Sequence, residues 1–121
     1  MQLSKNDGVR LRHMLEYSGK ALLFAKGRSR ADLDHDEQLR LALVQLIQIV
    51  GEAASKVSRN FQEQTPSIPW TDIINTRNRL IHAYFDINLN ILWDTITDDL
   101  PPLLEQLQKI VDDAEQQQKF F

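Results

Sequence analysis

The sequence contains no cysteine. A disulfide scaffold, a thiolate metal site and a cysteine nucleophile are therefore excluded. No apolar run approaches the roughly 18 residues that a membrane-spanning helix needs, so no membrane partner is expected. The opening MQLSKNDGVR is too polar for a secretory signal. Histidines occur only at positions 13, 35 and 82, without HExxH or similar ligand spacing. No metal and no cofactor are expected, and a cytoplasmic location is.

What is present is ordinary globular composition. The chain has 121 residues, 42% apolar and 26% charged, which argues against disorder. That is one domain's worth of sequence, able to bury one core but not two. Residues 1–121 are read as a single domain, with 115–121 (EQQQKFF) as a tail that frays.

The formal charge of −3 hides an asymmetry. Residues 1–30 carry +5, residues 31–84 carry −2, and residues 85–121 carry −6. Either the first and last helices lie side by side and attract, or the basic end meets phosphate. An acidic chain is poorly suited to strong non-specific nucleic-acid binding, so any such site should be local.

Four glycines and four prolines punctuate the chain, and no strand pattern appears. Ser4-Lys5-Asn6-Asp7 has the form of a capping box. Leu11, Leu15, Ser18, Leu22 and Ala25 then mark one helical face, and Gly27 suits the left-handed residue after a helix end. These predict a first helix over roughly 5–26. Residues 27–34 form a polar connection. Asp34 and Glu37 offer a second capping box, opening a helix over roughly 35–60. Its segment LALVQLIQIV (41–50) is apolar on nearly every side. A helix in a small bundle should keep one face wet, so a second subunit is expected against it. Residues 60–69 are a loop with two prolines. A third helix follows over roughly 69–84 and a fourth from near Asn88, kinked or divided at Pro101-Pro102. The whole reads as an all-α, antiparallel four-helix bundle.

The chemistry is concentrated at 76–86, TRNRLIHAYFD. On a helix, Asn78 and His82 share a face, Arg79 and His82 are neighbours, and Arg77 and Tyr84 share another face. His82 exchanges a proton near neutral pH. Arg77 holds a phosphate through two parallel hydrogen bonds, and Asn78 orients the imidazole or a phosphate oxygen. Together these suit cleavage of RNA by its own 2′-hydroxyl, with two His82 copies in a dimer as base and acid. The structural alternative stays open. Arg77 pairs with Glu52 of the second helix, and His82 is a helix-end histidine favoured by the dipole.

The string RNRLIHAYFDI resembles the HepT-like branch of the HEPN superfamily. PW precedes it, and LW and DLPPL follow. The family pattern is an arginine and a histidine separated by four to six residues. Arg77 and His82 fit it, Asn78 fits the polar residue after the arginine, and His82-Ala83-Tyr84 fits the H-x-Y extension. VGEAASKVS in the second helix and the proline-bearing last helix add to the likeness, which runs from about residue 35 onward. The resemblance implies a four-helix bundle of HEPN type and a homodimer with its ribonuclease site at the interface, needing no metal. It further implies a type VII toxin, neutralised when an MntA-like nucleotidyltransferase antitoxin attaches AMP to Tyr84. Arg79 and Glu52 are supporting candidates, and Arg10, Arg12, Lys20, Lys26, Arg28 and Arg30 are candidates to flank the RNA. The rival reading is a non-catalytic helical module that partners a separate nucleotidyltransferase.

Overall fold

Ser4 opens the first helix, α1 (Lys5–Ala25), by accepting the Asp7 N–H at 3.1 Å. The helix ends at a type II turn. Lys26 is extended, Gly27 takes φ 75°, and the Arg28 N–H returns to the Ala25 carbonyl. The buried stripe of α1 runs through Leu11, Met14, Ser18, Ala21 and Ala25. Leu15 and Leu22 pack at its margin rather than its centre.

The computed structural model describes residues 3–83 and 86–119. Beyond α1 it contains α2 (Asp32–His35), α3 (Glu37–Ser55), α4 (Arg59–Gln64) and α5 (Trp70–Leu80). A two-stranded ribbon follows, β1 (Ile81–Ala83) with β2 (Asp86–Ile87). The chain then forms α6 (Leu89–Asp94), a π turn (Thr95–Asp99) and α7 (Leu100–Lys119).

Several boundaries differ from those read in the sequence, each for a local reason. The connection after α1 is not merely polar, because Leu33 of α2 is fully buried. Asp36 is extended and caps α3 by accepting the Leu39 N–H at 3.0 Å, so Asp34 is not the cap. The second predicted helix stops at Ser55, and Ser58 caps the separate α4 through the Phe61 N–H. The third ends at Leu80 instead of 84, where the ribbon begins. The fourth starts as expected, with Asn88 accepting the Ile91 N–H at 3.0 Å.

Its division falls just before the prolines. In a continuous α-helix, Pro101 and Pro102 would leave two carbonyls without donors and press their rings on them. Here the helix widens first, and the Leu100 N–H reaches back five residues to Thr95. The prolines then sit in the first turn of α7, where a missing N–H is tolerated. α7 continues to Lys119, through most of the segment read as a frayed tail, and Glu115 pairs with Arg12 at 3.6 Å.

Among the long helices, α1 packs on α3 and α7, and α3 packs on α5. The α1–α3 pair is antiparallel. Asp7 at the start of α1 meets Ser58 beyond the end of α3, and Arg28 after α1 meets Asp36 before α3. The basic first and acidic last helices also lie side by side, joined by the Arg12–Glu115 pair. α3 is central, and Leu43, Val44, Leu46, Ile47 and Val50 are all buried within one chain. The apolar circumference of 41–50 therefore needs no second subunit to explain it. Leu41 is 52% exposed, and Ala42 and Ile49 are half-buried. Gly51 lets α5 approach closely: a Cβ there would lie 3.1 Å from the Ile73 carbonyl oxygen.

Candidate active site

The candidate residues straddle a change of backbone. Arg77, Asn78 and Arg79 lie in the last turn of α5, where the helix dipole favours cations. Leu80 is fully buried, and its carbonyl accepts the Asn88 N–H at 2.8 Å, tying the helix end to the start of α6. Ile81 then pairs with Ile87 and Ala83 with Asp86, antiparallel. Two steps along β1 oppose one step along β2, so His82 is the extra residue of a β-bulge.

This corrects the helical geometry assigned to the motif. His82 is in a strand, so it does not share a helical face with Asn78, nor stand one turn from Arg79. The pairing of Arg77 with Tyr84 over seven helical residues fails for the same reason, since the helix stops at Leu80. The side chains of Arg77 and His82, and Tyr84 as a whole, lie outside the described residues. Asn78 is exposed.

The two supporting candidates stand elsewhere. Glu52 is exposed and pairs with Lys56, the residue that follows its helix, at 3.5 Å. Arg79 donates to the Thr76 hydroxyl at 3.3 Å, and that hydroxyl in turn donates to the Asp72 carbonyl at 2.7 Å. Arg79 thus lines a groove of about 410 Å³ between α5 and the π turn with α7, alongside Asp72, Asp98 and Asp99. Partial burial raises the Asp99 pKa above its usual value, and the Arg79 charge opposes that rise. Three carboxylates against one guanidinium make this groove unsuited to phosphate.

Two polar ties fix the loop after α1 and went unread in the sequence. Arg30 donates to the Asn90 side chain at 2.8 Å, fixing the loop after α1 to α6. Arg28 is held by Asp36 at 2.6 Å and Asp32 at 3.4 Å. Its guanidinium pKa is raised, chiefly by the bond to Asp36. Arg28 and Arg30 therefore serve the fold, and are less free to meet RNA than their sequence positions imply. A signal for the ribbon was present. Ile81, Ala83, Phe85 and Ile87 alternate with His82, Tyr84 and Asp86, a period of two.

Among the described residues no group of three His, Asp or Glu is placed to hold a metal ion, and no helix is long and apolar enough to cross a membrane. Comparison with known proteins gives consistent relatives. A protein named "Putative RNase" from Caldanaerobacter subterraneus subsp. tengcongensis is 35% identical over 101 residues, covering 84% of this chain and 90% of its own. A protein of the same description from Methanocaldococcus jannaschii is 29% identical over 107 residues, covering 88% and 98%. "Probable ribonuclease HepT" from Thermococcus cleftensis is 33% identical over 75 residues, covering 62% and 68%. No solved structure matches the chain. The family described as "Ribonuclease HepT-like" matches residues 14–110, from the middle of α1 to the middle of α7. With the whole motif inside that span, the chain belongs to the HepT-like ribonuclease family of the HEPN superfamily.

Proposed function

We propose that the protein is a metal-independent endoribonuclease, the toxin of a type VII toxin–antitoxin pair, acting as a homodimer whose two motifs meet. The observation that carries this reading is Arg77-Asn78 at a helix end followed by His82 at a strand bulge, in a chain of this family. A helix C-terminus favours cations, and bulges recur beside active sites, where they re-aim side chains.

The reaction needs one base, one acid and a cation. One His82 takes the proton of the ribose 2′-hydroxyl, and the 2′-oxygen attacks the adjacent phosphorus. The bond to the 5′-oxygen breaks as the second His82 protonates that leaving group. The products are a 2′,3′-cyclic phosphate and a 5′-hydroxyl. Arg77 stabilises the charge that builds on the phosphoryl oxygens, and Asn78 orients the imidazole or an oxygen. Tyr84, two residues beyond His82, is the acceptor of AMP from an MntA-like nucleotidyltransferase. Each attached phosphate adds negative charge and bulk where RNA phosphates must enter.

The test is cleavage of a short labelled RNA by the purified chain in EDTA, beside His82→Ala and Arg77→Ala. Expected is cleavage by the wild type, lost in both variants, with cyclic phosphate ends. The net charge of −3 and the acidic groove beside Arg79 favour one alternative, a non-catalytic module that holds a nucleotidyltransferase. No cleavage by an unmodified, folded dimer decides for it.

A further inference from the structure

Cations and rings interleave along one side of α1. Arg10, His13, Tyr17, Lys20 and Phe24 follow one another at spacings of three and four, so they form a single stripe about 21 Å long. Tyr17 organises its centre. The His13 ring meets it edge-on at 6.4 Å between centroids, and the Lys20 ammonium sits over its face at 5.0 Å. His13 is exposed and Phe24 is 44% exposed.

The facing side of α3 is polar. Arg10 and His13 share a groove of about 300 Å³ with Gln45, Gln48, Glu52 and Lys56. The helices are antiparallel, so the same face continues upward from there to Phe24 on α1 and Leu41 on α3. On the other side of α3, Gly51 lies against Ile73 and Ile74. The end of α5, where the motif begins, is tied to this upper end: the Leu80 carbonyl accepts the Asn88 N–H at 2.8 Å, and the Asn90 side chain accepts from Arg30, in the connection between α1 and α3, at 2.8 Å.

We infer that this α1–α3 face is a binding track for single-stranded RNA, leading toward the Arg77–His82 motif. The inference rests on the ribonuclease reading for the nature of its ligand. Single strands are held by cations that follow the backbone and by rings on which bases stack. Here Arg10, Lys20 and Lys56 supply the cations, and His13 and Phe24 supply the rings. Gln45 and Gln48 present donors and acceptors to base edges. Lys20 pairs with Glu16 at 3.8 Å and Lys56 with Glu52 at 3.5 Å, but both pairs are exposed. Such pairs are weak, so each lysine is able to exchange its partner for a phosphate. A protein interface would instead centre on an apolar cluster depleted of lysine. The apolar groups of this face stand apart, Phe24 and Leu41 at its upper edge and Ile49 and Ala53 within the groove.

The test is the affinity of a labelled oligouridylate for the full chain carrying His82→Ala, which prevents cleavage during the measurement. Arg10→Gln with Lys20→Gln should weaken binding about tenfold at low salt and reduce the slope of log K against log salt by about 1.4. His13→Ala and Phe24→Ser should each weaken it about tenfold, with the slope unchanged. Lys109→Gln on α7 is the control and should change little. Cleavage of a dinucleotide by the same surface variants with His82 intact is measured in parallel and should persist. Unchanged affinity across the set overturns the track, and leaves the ribonuclease reading standing if the dinucleotide is cut. An altered oligomeric state with RNA affinity intact also overturns it, and makes the face a protein interface. Loss of affinity in the variants of a chain that cuts nothing upholds the track and removes the ribonuclease.

Discussion

Asp7 and Ser58, 51 positions apart, are joined by two hydrogen bonds: the Ser58 N–H donates to one Asp7 carboxylate oxygen at 2.8 Å, and the Ser58 hydroxyl to the other at 2.6 Å. Asp7 is 5% exposed. The same Ser58 hydroxyl accepts the Phe61 N–H, so the link orients the cap of α4. Asp7→Ala strips the Ser58 N–H and hydroxyl of their acceptor at once. Bonds to a charged group carry about 1.5–3 kcal/mol each. A loss of about 3 kcal/mol is expected, read as a fall of roughly 10 °C in Tm. Asp7→Asn keeps one acceptor and should lose about half as much.

Two glycines should respond to alanine with opposite signs. At Gly19, inside α1, an added Cβ meets nothing within 4 Å. Gly19→Ala should gain about 0.5–1 kcal/mol from helix preference alone. Gly51→Ala earns the same preference but drives a Cβ to 3.1 Å from a helix carbonyl that cannot retreat without α5. Overpacking of this kind costs about 1–3 kcal/mol, so the net is a loss, and α5 with Arg77 shifts. Denaturant midpoints of the two variants separate the outcomes. Stabilisation by Gly51→Ala would mean that the helices part easily.

Asp99 has a raised pKa, caused first by burial and opposed by Arg79. A carboxyl whose folded pKa exceeds its unfolded value near 3.8 binds its proton more tightly when folded. Its contribution to stability is complete below the unfolded pKa and is lost as pH rises through the folded one. Asp99→Asn should therefore raise Tm slightly at neutral pH, and the advantage should vanish in acid. Asp32 and Asp36 behave oppositely. Their pKa values are lowered, first by backbone N–H bonds from Ser29 and Leu39 and then by Arg28. Their contribution is present above the unfolded pKa and fades as pH falls through their lowered values. Melting of the wild type, of Asp99→Asn and of Asp36→Asn from pH 2 to 7 checks both signs.

Tyr84→Phe separates toxicity from its control. A phenylalanine has no oxygen to receive AMP, yet keeps the ring. The variant should cleave RNA within about twofold of the wild type, because the proposed chemistry assigns the phenol no role. It should escape neutralisation by a co-expressed nucleotidyltransferase. Neutralisation that persists would place the acceptor elsewhere.

The sequence was most legible where one force decides. Ser4 and Asn88 each have a capping side chain at the right distance, and Gly27 takes the positive φ of a turn that disfavours a Cβ. It was least legible where similar residues compete. Asp32, Asp34 and Asp36 are all plausible caps, and the extended backbone at Asp36 selects one. The α4 turn was hidden because Ser58 depends on Asp7, a partner far away in the chain. At the site, the residue types were readable and their placement was not. Arg77 continued a helical pattern while the alternation from Ile81 overrode it, and Arg79 was drawn to Thr76 and the acidic groove.

The bulged ribbon after α5 has a consequence for how the motif tolerates change in length. Within one helix, each residue inserted between an arginine and a histidine turns them about 100° apart. Here the two residues lie on opposite sides of a helix–strand junction, and the bulge already accommodates one unpaired residue. An insertion at such a junction is absorbed as loop or bulge, leaving α5 and its packing against Gly51 in place. A spacing of four to six residues is then a property of the junction, and length variants made at Ile81 should fold as the parent does.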